Sequence, residues 1–80
     1  MPQSQPIHDA SKIEDTVLAL LGAFAFDGGR VWKRFDFEVM EALHAKGLIS
    51  DPRGRAESVY LTETGLLRAR SLADRLFRPD

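Results

Sequence analysis

Apolar residues recur at helical spacing from Ile13 through Val17, Leu20, Leu21 and Phe24, which puts them on one face of a helix. Ser11-Lys12-Ile13-Glu14 at the head of that run fits an S-x-x-E capping box, so the helix is expected to begin near Ser11. Leu18, Ala19, Ala23 and Ala25 make its second half apolar on every side, the pattern of a helix buried all round. Asp27-Gly28-Gly29 then stops it, because glycine readily takes the left-handed conformation that closes a helix. Arg30 to Phe35 alternates only loosely. A short strand is preferred there over an irregular turn, with Val31 and Phe35 pointing inward and Arg30 and Arg34 outward.

Asp36 is a good N-cap for a second helix running to about Lys46, with Val39, Met40 and Leu43 as its inner stripe. Gly47 reads as the left-handed stop, and Leu48 as the residue that folds back onto Leu43. Leu48 and Ile49 open a hairpin whose turn is Asp51-Pro52-Arg53-Gly54, with Asp, Pro and Gly at their type I positions. The return strand covers about Glu57 to Leu61, with Val59 and Leu61 on one face. Thr62 caps the last helix, where Leu66, Ala69, Ala73 and Leu76 share a face and Leu72 and Phe77 lie beside it. The order is helix, short strand, helix, β-hairpin wing, helix. That is an α+β chain, mainly helical. A two-stranded hairpin is marginal alone and must pack on the helices, which makes the plan winged-helix-like.

Length and composition narrow the classes. Eighty residues make one domain. Residues 1–8, polar and with two prolines, are read as a disordered N-terminal lead-in, and 9–80 as the single domain. The start lacks a basic stretch before an apolar run and so does not read as a signal peptide. There is no Cys, hence no disulfide and no thiolate metal site, and the setting expected is reducing and cytoplasmic. The longest apolar stretch, Val17 to Phe26, is far short of the roughly 20 residues that cross a bilayer, so no membrane association is expected. The net charge of −1 provides no global field toward nucleic acid.

Residues 43–67 carry a family resemblance. Leu43-His44-Ala45-Lys46-Gly47-Leu48-Ile49, then Asp51-Pro52-Arg53-Gly54-Arg55, then Ser58-Val59-Tyr60-Leu61-Thr62-Glu63-Thr64-Gly65, is similar to the end of a bacterial MarR- or PadR-type winged-helix regulator. The chain as a whole, including Gly29-Arg30-Val31-Trp32-Lys33-Arg34-Phe35-Asp36, also resembles a family of short bacterial proteins of unknown function. The resemblance implies a hairpin packed on helices and a wing that touches DNA. One departure counts against the second implication: between Gly29 and Asp36 there is no room for the first helix of a helix-turn-helix.

The candidate residues follow two function classes. For a DNA-binding transcriptional regulator, the wing residues Arg53 and Arg55 contact phosphates, and Arg30, Lys33, Arg34 and Lys46 extend the footprint. Against this, the helix at the reading position turns Glu38, Glu41, Ala42 and Ala45 outward, and carboxylates are unfavourable beside phosphates. The alternative is a protein-interaction or dimerisation module without DNA binding. Here a homodimer is expected, because an 80-residue core is thin and Val17 to Phe26 lacks a polar face. Its interface is placed on Leu18, Gly22, Ala25, Phe26, Leu67 and Phe77. Trp32 reads as a core plug rather than an interface anchor. Glu41 and His44 share a helix face but fall short of the three or four ligands a metal site wants. No catalytic motif is present, so neither an enzymatic activity nor a cofactor is expected.

Overall fold

The computed structural model describes residues 8–79; apart from His8, the expected lead-in over 1–8 lies outside them. Helix α1 spans Ala10–Ala23, strand β1 Arg30–Trp32, helix α2 Phe37–Ala45, strand β2 Ser58–Tyr60 and helix α3 Glu63–Phe77. The chain is a small α+β domain, mainly helical, in the expected order of elements. Among the described residues no helix is long and apolar enough to cross a membrane.

The N-cap of α1 lies two residues before the expected box. Asp9 is the N-cap, and its carboxylate accepts from the amides of Ser11 (2.9 Å) and Lys12 (3.3 Å) and from the Ser11 hydroxyl (2.8 Å). A carboxylate is the stronger acceptor at the positive end of a helix, so Ser11 becomes a first-turn donor instead. The helix also ends earlier than Asp27-Gly28-Gly29. It closes at Ala23, and those three residues make a tight reversal instead, with Phe26 bridged to Arg30. Asp27, Gly28 and Gly29 all hold positive φ there (48°, 76° and 130°), a geometry natural to glycine and tolerated by Asp.

Helix α2 matches its sequence pattern closely. Asp36 accepts from the amides of Glu38 (2.9 Å) and Val39 (3.3 Å). At the far end Gly47 has φ 76°. The Leu48 amide donates to the Leu43 carbonyl (3.0 Å) and the Gly47 amide to that of His44 (2.9 Å), the paired bonds of a Schellman stop.

The sheet differs from the hairpin expected. β2 pairs mainly with β1, antiparallel, in the register Arg30↔Tyr60, Val31↔Val59 and Trp32↔Ser58. The expected partner segment contributes one bridge, Ile49↔Leu61. The turn signal at Asp51 to Gly54 opens a wider loop, because the Lys33 ammonium holds the Pro52 carbonyl (2.7 Å) and that of Gly54. Thr62 caps α3 as expected, accepting from the Gly65 amide (2.9 Å) while its hydroxyl donates to the Gly47 carbonyl (2.7 Å).

Val17, Leu18, Ala19 and Leu21 of α1 meet Ala69 and Leu72 of α3, Met40 and Leu43 of α2, and Val31, Leu48, Ile49, Val59 and Leu61. Helices α1 and α3 approach so closely that a Cβ on Gly22 would stand 2.7 Å from that of Ala69. Two ion pairs tie the other elements to α1: Lys46 to Glu14, and Arg68 to Asp15 at 3.2 Å. The Arg68–Asp15 pair is exposed enough to contribute about 1 kcal/mol or less, whereas the Glu14 side chain of the other pair is mostly buried.

This packing corrects the expectations for four residues. Leu18 is fully buried in its own chain, and Gly22 is taken up by α3, so neither faces a second copy. Trp32 is exposed and Phe35 does not turn inward. With only Arg30 to Trp32 extended, strand alternation sends Val31 in and Trp32 out, and it has ended before it can orient Phe35.

Candidate interaction surface

Five Phe, one Trp and one Tyr make up the aromatic residues of the chain, and none belongs to the buried core, which is entirely aliphatic. Large aromatic side chains ordinarily dominate small cores. Here six of them form a connected belt on one side of the fold.

Its centre is the outer face of the sheet. Opposite residues of an antiparallel pair share a face, so Arg30 with Tyr60, and Trp32 with Ser58, turn away from the core that receives Val31 and Val59. The Arg30 side chain donates to the Ser58 hydroxyl (2.8 Å). Its guanidinium lies 5.9 Å from the Phe26 ring centre and 6.0 Å from that of Tyr60. Phe26 meets Trp32 with ring centres 5.1 Å apart, and the Arg34 guanidinium lies 5.0 Å over the indole. These separations suit cation–π attraction. The reversal at Asp27 to Gly29 brings Phe26 back beside β1 and makes the cluster possible.

Beyond Trp32 the belt continues into a groove of about 210 Å³ between α1 and the segment after β1, lined by Leu20, Phe24, Trp32, Arg34 and Phe35 among others. Phe35 is shared with a second, more polar groove of about 310 Å³ that also carries Phe37 and Lys33. Tyr60, Phe26, Trp32, Phe24, Phe35 and Phe37 thus follow one another across the surface. Of these six rings, sequence reasoning placed only Phe26 at an interface. The missed signal was local: Arg34-Phe35-Asp36-Phe37-Glu38 alternates charged and aromatic residues around a helix cap, where neither helix nor strand periodicity turns the rings inward.

The expected phosphate contacts are less available. Arg53 pairs with Glu41 (3.2 Å) and Asp51 (3.4 Å), and Lys46 with Glu14. Lys33 is spent on loop carbonyls. Arg30 pairs with Asp27 at 3.7 Å. The Asp51 carboxyl lies below its ordinary range, held first by the Arg53 amide and then by surrounding positive charge. Among the described residues Lys33, Arg34 and Arg55 make no ion pair, and of these Lys33 is already taken up by carbonyls. Of the expected dimer contacts, Ala25 and Phe26 are half-buried, whereas Leu67 and Phe77 are exposed on α3. Among the described residues no three His, Asp or Glu side chains converge as metal ligands.

A family model described as "Domain of unknown function (DUF6429)" matches residues 9–79. "Uncharacterized protein y4hR" of Sinorhizobium fredii (strain NBRC 101917 / NGR234) is 44% identical over 69 residues, covering 86% of this chain and 93% of that one. No solved structure matches the chain.

Proposed function

The chain belongs to the DUF6429 family, and we propose that this member is a non-catalytic protein-interaction module whose working surface is the aromatic belt. The observation that carries this reading is the placement of every aromatic outside the core, with Arg30 and Arg34 set among the rings. Trp, Tyr and Arg are the residues that concentrate binding energy at protein interfaces. Rings left in water forgo roughly 1.5–3 kcal/mol each relative to burial, so a core made without them is costly unless a partner covers them.

The test is a photo-crosslinking amino acid in place of Tyr60, compared with one in place of Arg70 on the exposed side of α3. Protein adducts at position 60 and none at position 70 are expected. Equal yields at both positions remove the reading.

Duplex DNA is the second reading. It rests on the winged-helix-like order of elements and on Arg55 in the loop between α2 and β2, which has no ion pair among the described residues. With Lys33, Lys46 and Arg53 engaged inside the chain, few phosphate contacts remain and a steep salt dependence is not expected. A duplex mobility shift that weakens steeply with salt, and is lost in Arg55→Ala, would favour the regulator over the interaction module.

A further inference from the structure

We propose that the partner covering the aromatic belt is a second copy of this chain, related by a two-fold axis near Asp36. The proposal rests on the belt being an interaction surface and names its occupant. Area is the first argument. Phe24, Trp32, Phe35, Phe37 and Tyr60 are 73%, 45%, 37%, 51% and 53% exposed. For side chains of about 150–250 Å² each, this amounts to roughly 500 Å² of exposed aromatic surface. A standard interface takes about 800 Å² from each partner, and homodimer interfaces are about two-thirds apolar. The belt therefore supplies nearly the whole apolar share of one side.

Charge is the second argument, and it selects a second copy over another protein. Arg34 and Glu38 flank the belt, are exposed, and have no ion-pair partner among the described residues. They are of opposite sign, with Phe35 and Phe37 between them and Asp36 at the centre. The Asp36 carboxylate is already committed to the amides of Glu38 and Val39. A two-fold interface requires that if one residue meets another across it, the reverse contact also forms. Arg34 of each copy then meets Glu38 of the other, and Phe35 packs near Phe37. One surface provides both halves of every contact. Leu18 and Gly22 contribute nothing to this surface, because both are packed inside each protomer.

The test is sedimentation equilibrium at tens of micromolar, with far-UV circular dichroism as the folding control. Wild type is expected at twice the 9.0 kDa chain mass. Arg34→Glu alone and Glu38→Arg alone place like charges across the axis and are expected to raise the dimer Kd at least about tenfold. Mixing the two single variants is expected to restore a dimer of one copy of each, because both cross-axis pairs are then opposite in sign. Trp32→Ala, at an exposed position, is expected to fold and to be monomeric. A monomeric wild type overturns the proposal. If position 60 still crosslinks to a different protein, the interaction module survives without the second copy. A dimer indifferent to all three substitutions, or failure of the mixed variants to associate, also overturns it.

Discussion

A single added carbon at Gly65 has more consequence than at the other glycines of this chain. A Cβ there would lie 1.8 Å from the Leu48 carbonyl oxygen and 2.7 Å from its carbon, so the first turn of α3 rests directly on the backbone after α2. Gly65→Ala is expected to lower the unfolding free energy by about 3 kcal/mol or more, read as a shift in the urea midpoint. Gly47 presents the opposite case. It has φ 76° and open space where a Cβ would go, so Gly47→Ala meets only the conformational penalty, about 1–2 kcal/mol. Gly47→Asn is expected to recover part of that loss, because Asn tolerates the left-handed region, whereas Gly65→Asn is expected to be worse than Gly65→Ala. Equal losses at the two glycines in the Ala variants would contradict this division. Gly47 was legible in the sequence because its constraint is local: a helix, a glycine, then a leucine folding back. Gly65 was not, because the atom it must avoid belongs to a residue seventeen positions away, and it appeared only within a family-like string.

At the level of elements, caps and stops were legible, while strand pairing was not. Asp36, Gly47 and Thr62 act as their chemistry predicts. The hairpin between Leu48 and Leu61 shrank to one bridge because β2 found β1 instead. Turn residues report on their neighbours; a pairing across 28 positions depends on how α1 and α3 set the two segments. The shift from Ser11 to Asp9 has a pH signature. The Asp9 carboxyl is held below its ordinary value of 3.8 by the Ser11 hydroxyl first, then by the amides of Lys12 and Ser11. A lowered native value means that the cap stabilises fully above the unfolded value and is lost as pH falls through the native one. Protection of the Ser11 and Lys12 amides, with exchange rates taken relative to the intrinsic rate at each pH, is therefore expected to fall as the pH drops below the ordinary carboxylate range, and Asp9→Asn is expected to abolish that pH dependence while still capping. Amide NMR reads both. Lys33 organises the loop in a similar way. Lys33→Met removes its bonds to Pro52 and Gly54, and faster proteolysis between residues 50 and 57 is expected with helix content unchanged.

For the whole molecule, hydrophobic patterning located the aliphatic core but misassigned the rings. Periodicity says that Val31, Leu43 and Leu72 face inward, and they do. It fails at joints between elements, where Phe24, Phe26, Phe35 and Phe37 sit. Helical spacing puts Phe24 on the apolar face and strand alternation turns Phe35 inward, but α1 ends at Ala23 and β1 at Trp32, and both rings are exposed. The size of Trp32 favours the core, as for large aromatics generally, but a three-residue strand with Val31 pointing in leaves it no inward option. As the only tryptophan of the chain, Trp32 reports directly on the claim that the aromatic belt lies outside the core. The measurement is acrylamide quenching of its fluorescence, followed by dilution from tens of micromolar to the lowest readable concentration, with circular dichroism confirming that the fold persists. Quenching that rises on dilution toward that of a half-exposed indole is the expected result. An indole that stays protected in the dilute, folded chain would put Trp32 in the core and contradict the belt.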